Sequence, residues 1–247
     1  MRCYGPDSQR FDQRIRSGNP RSRESCVRKG TTAGTLPRPV ALVECGTAKQ
    51  AILKFVQTTT DKSSAKFVPP PERIATFDQD GTLWVEHPMY VQVVYCLDRV
   101  PVVAKAKPEL ANAEPFKTVL SGNREAMAKL SMDDLFKILA GTLTGMSVDE
   151  FEGEAKKWLD TAKHPRWKRA YTELTYLPMV ELLKYRRASG YKTYIVTGGG
   201  QDFVRVYSES LSGIPPEQVV GTAGGTSYGY RQERPACSDQ RTEATAE

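Results

Sequence analysis

Two short β-rich runs, "RIATF" (73–77) and "YKTYIV" (191–196), are separated by residues that read almost wholly as helix. Parallel strands need a crossover between them, and this one is too long for a single helix. The pattern predicts a parallel-sheet α/β core carrying a helical insertion. In open sheets of that kind, ligands gather at the carboxyl ends of the strands.

The helical stretches have readable ends. "TAKQAILKFV" (47–56) has apolar residues at helical spacing, "TTTDKSSAK" reads as a polar linker, and the prolines of "FVPPPER" favour an extended approach to the first strand. "PMYVQVVYCLDRV" (88–100) reads as a helix with Pro88 in its first turn. "SMDDLFKILAG" (131–141) and "SVDEFEGEAKKWLDTAK" (147–163) open with capping-box patterns, Ser131 with Asp134 and Ser147 with Glu150, and the first is expected to end at Gly141. "YLPMVELLKYRRASG" (176–190) is a helix closed by Gly190, and "YKTYIVTGGGQDFVRVYSESL" (191–211) reads as strand, glycine loop and helix.

Both runs end in chemistry. The first leads into "FDQDGTLWVEH" (77–87), with Asp78 and Asp80 one residue apart, and the second into Thr197 and Gly198. Like charges this close are costly unless a metal ion or a shared proton sits between them. Strand alternation puts residues 78 and 80 on one face. An Asp-x-Asp-Gly stretch is also found as a calcium loop or a plain polar turn; Leu83, Trp84, the preceding strand and the Thr197 loop weigh against that here. "GGGQDF" is not a dinucleotide loop, because Phe203 stands where the third fingerprint glycine belongs.

Charge separates a tail from the rest. The net charge is +6, and residues 1–40 hold nine Lys and Arg against three acids, so the other 207 residues balance at 26 against 26. Residues 1–42 are rich in Arg, Ser, Gly and Pro and poor in bulky apolar side chains, a composition that predicts disorder. A solvated tail or a misplaced translation start explains it best, with a nucleic-acid arm or an organelle-targeting segment as the alternatives. With a neutral remainder, no nucleic-acid partner is expected. No apolar run is long enough to span a bilayer and no secretory h-region is visible, so no membrane partner is expected either.

Five cysteines (Cys3, Cys26, Cys45, Cys96, Cys237) form no CxxC pair, which suggests free thiols in a reducing, cytoplasmic compartment. His87 and His164 are the only histidines, too few for a His-rich zinc site.

"FDQDGTLW" resembles the first motif of the haloacid dehalogenase-like phosphohydrolases, Asp-x-Asp-Gly-Thr at the end of the first strand, and "YIVTGGG" resembles the second, an apolar strand ending in Thr or Ser before Gly. The helical stretch between them is similar to the cap of the phosphoserine phosphatase-like branch. The resemblance implies a Rossmann-like parallel sheet core at 43–87 and 176–221, with an inserted helical cap at 88–175. It implies a phosphomonoesterase in which Asp78 attacks phosphorus to form an aspartyl-phosphate and Asp80 serves in turn as acid and base. Mg²⁺ is the implied cofactor, held by the Asp78 carboxylate and the Asp80 carbonyl. Gly81 lets the chain turn, Thr82 donates to backbone or phosphate, and Thr197 and the amide of Gly198, at the start of the next helix, hold phosphate oxygens. The implied partner is a small phosphate ester, phosphoserine among the options.

Glu86 and His87 follow the loop where a flap meets the cap, and are candidates for substrate contact. Arg166, Lys168 and Arg169 in "HPRWKRAYTELTY" (164–176) either attract a phosphorylated substrate or face water.

The chain departs from the family after the second motif. A third-motif lysine and a fourth motif of one or two acids after another strand are expected, yet no lysine follows Lys192 and no Val, Ile, Leu, Met or Phe follows Val220. Arg205, Arg231 and Arg234 have no spacing that marks a replacement, and Asp239 lacks an apolar strand to aim it. Residues 222–247 therefore read as a disordered tail, and the core as incomplete at its C-terminus through truncation or frameshift. The alternative function is an inactive phosphatase-like domain that binds phosphate or metal. Nothing in the sequence fixes an oligomeric state.

Overall fold

Ile74–Phe77 forms strand β1, Lys192–Gly200 forms β2 and Val219–Thr222 forms β3, and they pair in parallel in the order β1-β2-β3. Ile74 stands opposite Lys192 and Phe77 opposite Ile195, while Ile195 and Val196 stand opposite Val219 and Val220. The computed structural model describes residues 46–231 and 234–242, with side chains to Tyr228. The basic stretch expected as a tail at 1–42 lies outside them.

Helix α1 (Thr47–Thr60) runs three residues into what reads as a linker. Its last threonines sustain the helix by bonding back one turn: Thr59 Oγ1 donates to Phe55 O at 2.7 Å and Thr60 Oγ1 to Val56 O at 2.8 Å. After β1 come α2 (Val91–Ala106), the short α3 (Pro108–Ala111), α4 (Phe116–Leu120) and α5 (Arg124–Met127), then α6 (Met132–Leu143), α7 (Val148–Thr161) and α8 (Leu177–Ala188). Helix α9 (Gln201–Ser212) joins β2 to β3. Both expected capping boxes form, on α6 and α7.

Two helix ends differ from the reading. Pro88 lies three residues ahead of α2, which begins at Val91. Gly141 lies inside α6, where it leaves room for the ring of Phe116; a Cβ there would collide with Phe116 Cζ. Its role is packing, not termination.

One continuous core joins the helical insertion to the sheet. Tyr95 of α2 stacks on Phe203 of α9 with centroids 5.3 Å apart and meets Trp158 of α7 edge-on at 5.3 Å, in the same cluster as Ile195 and Val219. Right-handed crossovers that step in one direction, β1 to β2 to β3, put their helices on one face of the sheet. Thr193, Ile195 and Val219 are buried on that face, whereas Ile74, Val196 and Val220 on the other are exposed. Both faces of a parallel sheet are ordinarily covered.

Within residues 222–247, which read as a disordered tail, β4 (Gly225–Arg231) and β5 (Arg234–Thr242) pair antiparallel as a separate two-stranded sheet. It adds no strand to the parallel sheet. Among the described residues no helix is long and apolar enough to cross a membrane.

Candidate active site

Strand β1 stops at Phe77, so Asp78 and Asp80 stand in the loop that follows rather than on an alternating strand. The loop closes on one acceptor: the carbonyl of Gln79 takes the amides of Thr82, Leu83 and Trp84 at 3.3, 2.9 and 3.3 Å. Gly81 turns the chain at φ +72°, a left-handed conformation that glycine adopts without a Cβ penalty, and its amide donates to Trp84 O at 2.9 Å. The Glu86 carboxylate lies on Gly81; a Cβ there would stand 2.5 Å from Glu86 Oε2.

The two aspartates have different surroundings. Asp78 is exposed, and its Oδ1 accepts the amide of Gln79 at 2.7 Å. Asp80 is half-buried, and its Oδ1 accepts from the indole of Trp84 at 2.8 Å. Burial holds the Asp80 carboxyl above the usual carboxylate range; the Trp84 N–H opposes the shift, and the charges of Asp78 and Glu86 add to it. Trp84 in turn stacks on Tyr207 of α9 at 4.4 Å between centroids. Tyr207 shares a hydrogen bond with Gln79, and burial pushes its phenol well above the ordinary value. A neutral aromatic and amide floor therefore supports the Asp80 loop.

The second motif meets this loop at Gly199. A Cβ on Gly199 would stand 3.6 Å from Thr197 Oγ1, 3.7 Å from Asp80 Oδ2 and 3.8 Å from Gln92 Oε1, so a carboxylate, a hydroxyl and a carboxamide converge on one point. Gly198 differs from its expected place: it lies in β2, three residues ahead of Gln201, and Gly200 caps α9. The strand runs through the glycines with an irregularity between Val196 and Gly200. Gly221 of β3 lets that backbone come close, since a Cβ there would meet Gly199 O at 2.6 Å. Thr222 Oγ1 donates to Gly198 O at 2.8 Å.

Thr82 is half-buried with its amide committed to the loop, and His87 is exposed, 3.5 Å from Glu86 through Nε2. Arg205 is not the missing cation. It pairs with Asp202 at 3.6 Å and donates to the carbonyls of Pro216 and Val219 at 3.1 and 3.2 Å. The side chains of Arg231 and Arg234, like that of Asp239, lie outside the described set. Among the described residues no Lys or Arg forms an ion pair with Asp78, Asp80 or Glu86.

Oxygen donors with no paired cation fit a hard divalent ion that keeps several waters. Among the described residues no group of three or more His, Cys, Asp or Glu is placed to hold a metal. Gln92, Gln79 and Tyr207 were not singled out from sequence. Gln92 bonds to Gly200 across 108 residues, a contact with no local signal.

A family model described as haloacid dehalogenase-like hydrolase matches residues 75–243. No curated protein matches the chain. Among solved structures, a protein of unknown function from Bordetella pertussis Tohama I is 16% identical, with 69% of this chain and 67% of that one covered at a TM-score of 0.40. A conserved functionally unknown protein from Anaerococcus prevotii DSM 20548 is 13% identical, with coverage of 80% and 71% and a TM-score of 0.46. A phosphoserine phosphohydrolase-like protein from Francisella tularensis subsp. tularensis SCHU S4 is 19% identical, with coverage of 64% and 60% and a TM-score of 0.34. These likenesses are too loose to carry detail. The family match spans more than half of the sequence and takes in both the Asp78 loop and the Thr197 strand, and on that ground the chain belongs to the haloacid dehalogenase-like hydrolases.

Proposed function

We propose that the chain is a phosphomonoesterase acting on a small phosphate ester through an aspartyl-phosphate on Asp78. The observation that carries this reading is the contrast between the two carboxyls. Asp78 is exposed and able to attack, while Asp80, half-buried and raised above the usual carboxylate range, holds a proton more readily.

In the first step an oxygen of Asp78 forms a bond to phosphorus as the ester P–O bond breaks, and the leaving oxygen takes its proton from Asp80. In the second, Asp80 accepts a proton from water, the water oxygen bonds to phosphorus, and the Asp78–phosphorus bond breaks to release phosphate and restore the carboxylate. Thr197 Oγ1 accepts the amide of Gly199 at 3.2 Å, which leaves its own O–H to donate to a phosphate oxygen. A Mg²⁺ held by the Asp78 carboxylate and the Asp80 carbonyl would screen the repulsion between phosphate and carboxylate. The similarity of the helical insertion to the phosphoserine phosphatase-like cap makes phosphoserine a first substrate to try.

A second reading has its own observation. With no described Lys or Arg paired to the site carboxylates, the domain would bind phosphate or metal without turning over. Hydrolysis of a generic aryl phosphate, with and without Mg²⁺, beside Asp78→Asn and Asp80→Asn, separates the two. Metal-dependent turnover lost in Asp78→Asn supports the enzyme. A folded chain with no turnover supports the binding domain.

A further inference from the structure

We propose that Gln92 is a phosphate-binding residue of this site, its carboxamide N–H groups donating to a phosphate oxygen. The inference rests on the phosphatase reading for its substrate, but the site it describes holds a free phosphate ion as well.

Gln92 is the second residue of α2 and is half-buried. Its Oε1 accepts the amide of Gly200 at 2.7 Å. That bond fixes which end of the carboxamide is which, because a backbone N–H needs an acceptor and only the oxygen supplies one. The NH₂ end makes no hydrogen bond among the described residues.

Glycine at 200 is what admits the amide. A Cβ on Gly200 would collide with Gln92 Nε2 and stand 3.0 Å from Oε1 and 3.1 Å from Cδ. The carboxamide thus lies over the Gly200 backbone, and its oxygen is 3.8 Å from the point at Gly199 where Thr197 Oγ1 and Asp80 Oδ2 also converge.

Electrostatics says what the NH₂ group is for. A phosphate brought to Asp78, Asp80 and Glu86 meets three carboxyl groups and, among the described residues, no Lys or Arg paired with them. A neutral group with two donors and an already satisfied oxygen attracts the phosphate without adding an acceptor against it. Because Gln92 belongs to α2, the phosphate is gripped between the helix that follows the flap and the glycine end of β2.

The test uses the full chain, inorganic phosphate as the binding probe by calorimetry, and aryl phosphate hydrolysis. Gln92→Glu keeps an oxygen for Gly200 and replaces the donors with a second acceptor, while Gln92→Leu removes both; thermal unfolding confirms that each is folded. A hydrogen bond to a charged group is worth about 10- to 100-fold, so both variants are expected to bind phosphate at least ~10-fold more weakly, with kcat/KM lowered to match. Phosphate binding and turnover within about twofold of the unaltered chain in both variants overturn the role of Gln92 while leaving the phosphatase reading intact. Phosphate binding that both Gln92→Glu and the uncharged Gln92→Leu weaken, in a chain without turnover, upholds Gln92 and removes the phosphatase reading. A chain that neither binds phosphate nor hydrolyses the ester overturns both.

Discussion

The imidazole of His164 ties two loops together: its Nε2 lies 2.7 Å from the carbonyl oxygen of His87, and its Nδ1 accepts the amides of Arg166 and Trp167 at 3.1 and 3.3 Å. With Nδ1 accepting twice, the proton belongs on Nε2, where it is donated to the flap that carries Glu86. His164 is almost fully buried, so a broken bond leaves an unsatisfied group at a cost of about 1–3 kcal/mol. The side-chain oxygen in His164→Asn reaches roughly where Nδ1 stands, and the amide nitrogen in His164→Gln roughly where Nε2 stands. In His164→Asn, faster hydrogen exchange is expected at Val85 and Tyr176, whose amides donate to Leu174 O and Leu83 O and hold the segment leading to His87 against residues 174–176. In His164→Gln it is expected at Arg166 and Trp167. Identical exchange patterns in the two variants would defeat this assignment.

Asp80 costs the fold stability where it is charged. Its folded pKa is raised by burial above the unfolded value of about 3.9, so the penalty is fully present above the folded pKa and disappears below the unfolded one. Asp80→Asn, with its Oδ1 still able to accept from Trp84, is therefore expected to unfold at a higher temperature than the unaltered chain at pH 7 in chelator. The gap closes as pH falls toward about 4. Thermal scans across pH check it, and an equal or lower midpoint at pH 7 contradicts the burial argument.

Gly141→Ala sets two known effects against each other. Alanine in a helix interior is favoured over glycine by about 1 kcal/mol. The ring of Phe116, only 5% exposed, occupies the place of the new methyl, and displacing it costs about 1–3 kcal/mol. Net destabilisation is expected in urea unfolding, and Phe116→Leu in the same chain should relieve part of it. A simple gain in stability would mean that the ring yields freely.

Local rules carried far in this chain and then stopped at distance. The strand ending at Phe77, the two capping boxes, and the closure of α8 at Gly190, with φ +81°, follow from neighbours in sequence. The Asp78 loop was legible because its residues are contiguous. What holds Asp80 was not: the floor comes from Tyr207, and the hand across the site from Gln92. Gly141 and Pro88 misled for the opposite reason. Their local habits, helix stop and helix start, gave way to the Phe116 ring and to a non-helical segment at residues 85–90 before α2 begins.

The sheet itself offers the sharpest contrast between its faces. Val196 and Val220 are neighbours across β2 and β3 on the open side, 47% and 53% exposed, whereas Ile195 and Val219 are partners on the closed side, 0% and 1% exposed. Threonine keeps the β-branched shape and adds a hydroxyl. On the open face that hydroxyl meets solvent, so Val196→Thr with Val220→Thr should change stability by no more than ~0.5 kcal/mol and reduce binding of a hydrophobic dye. On the closed face it is buried without a planned partner, so Val219→Thr should cost about 1–3 kcal/mol. Urea unfolding of both variants decides. If the open-face pair proves as costly as the buried one, that face is packed in solution, and the one-sided arrangement of α8 and α9 no longer describes how the sheet is covered.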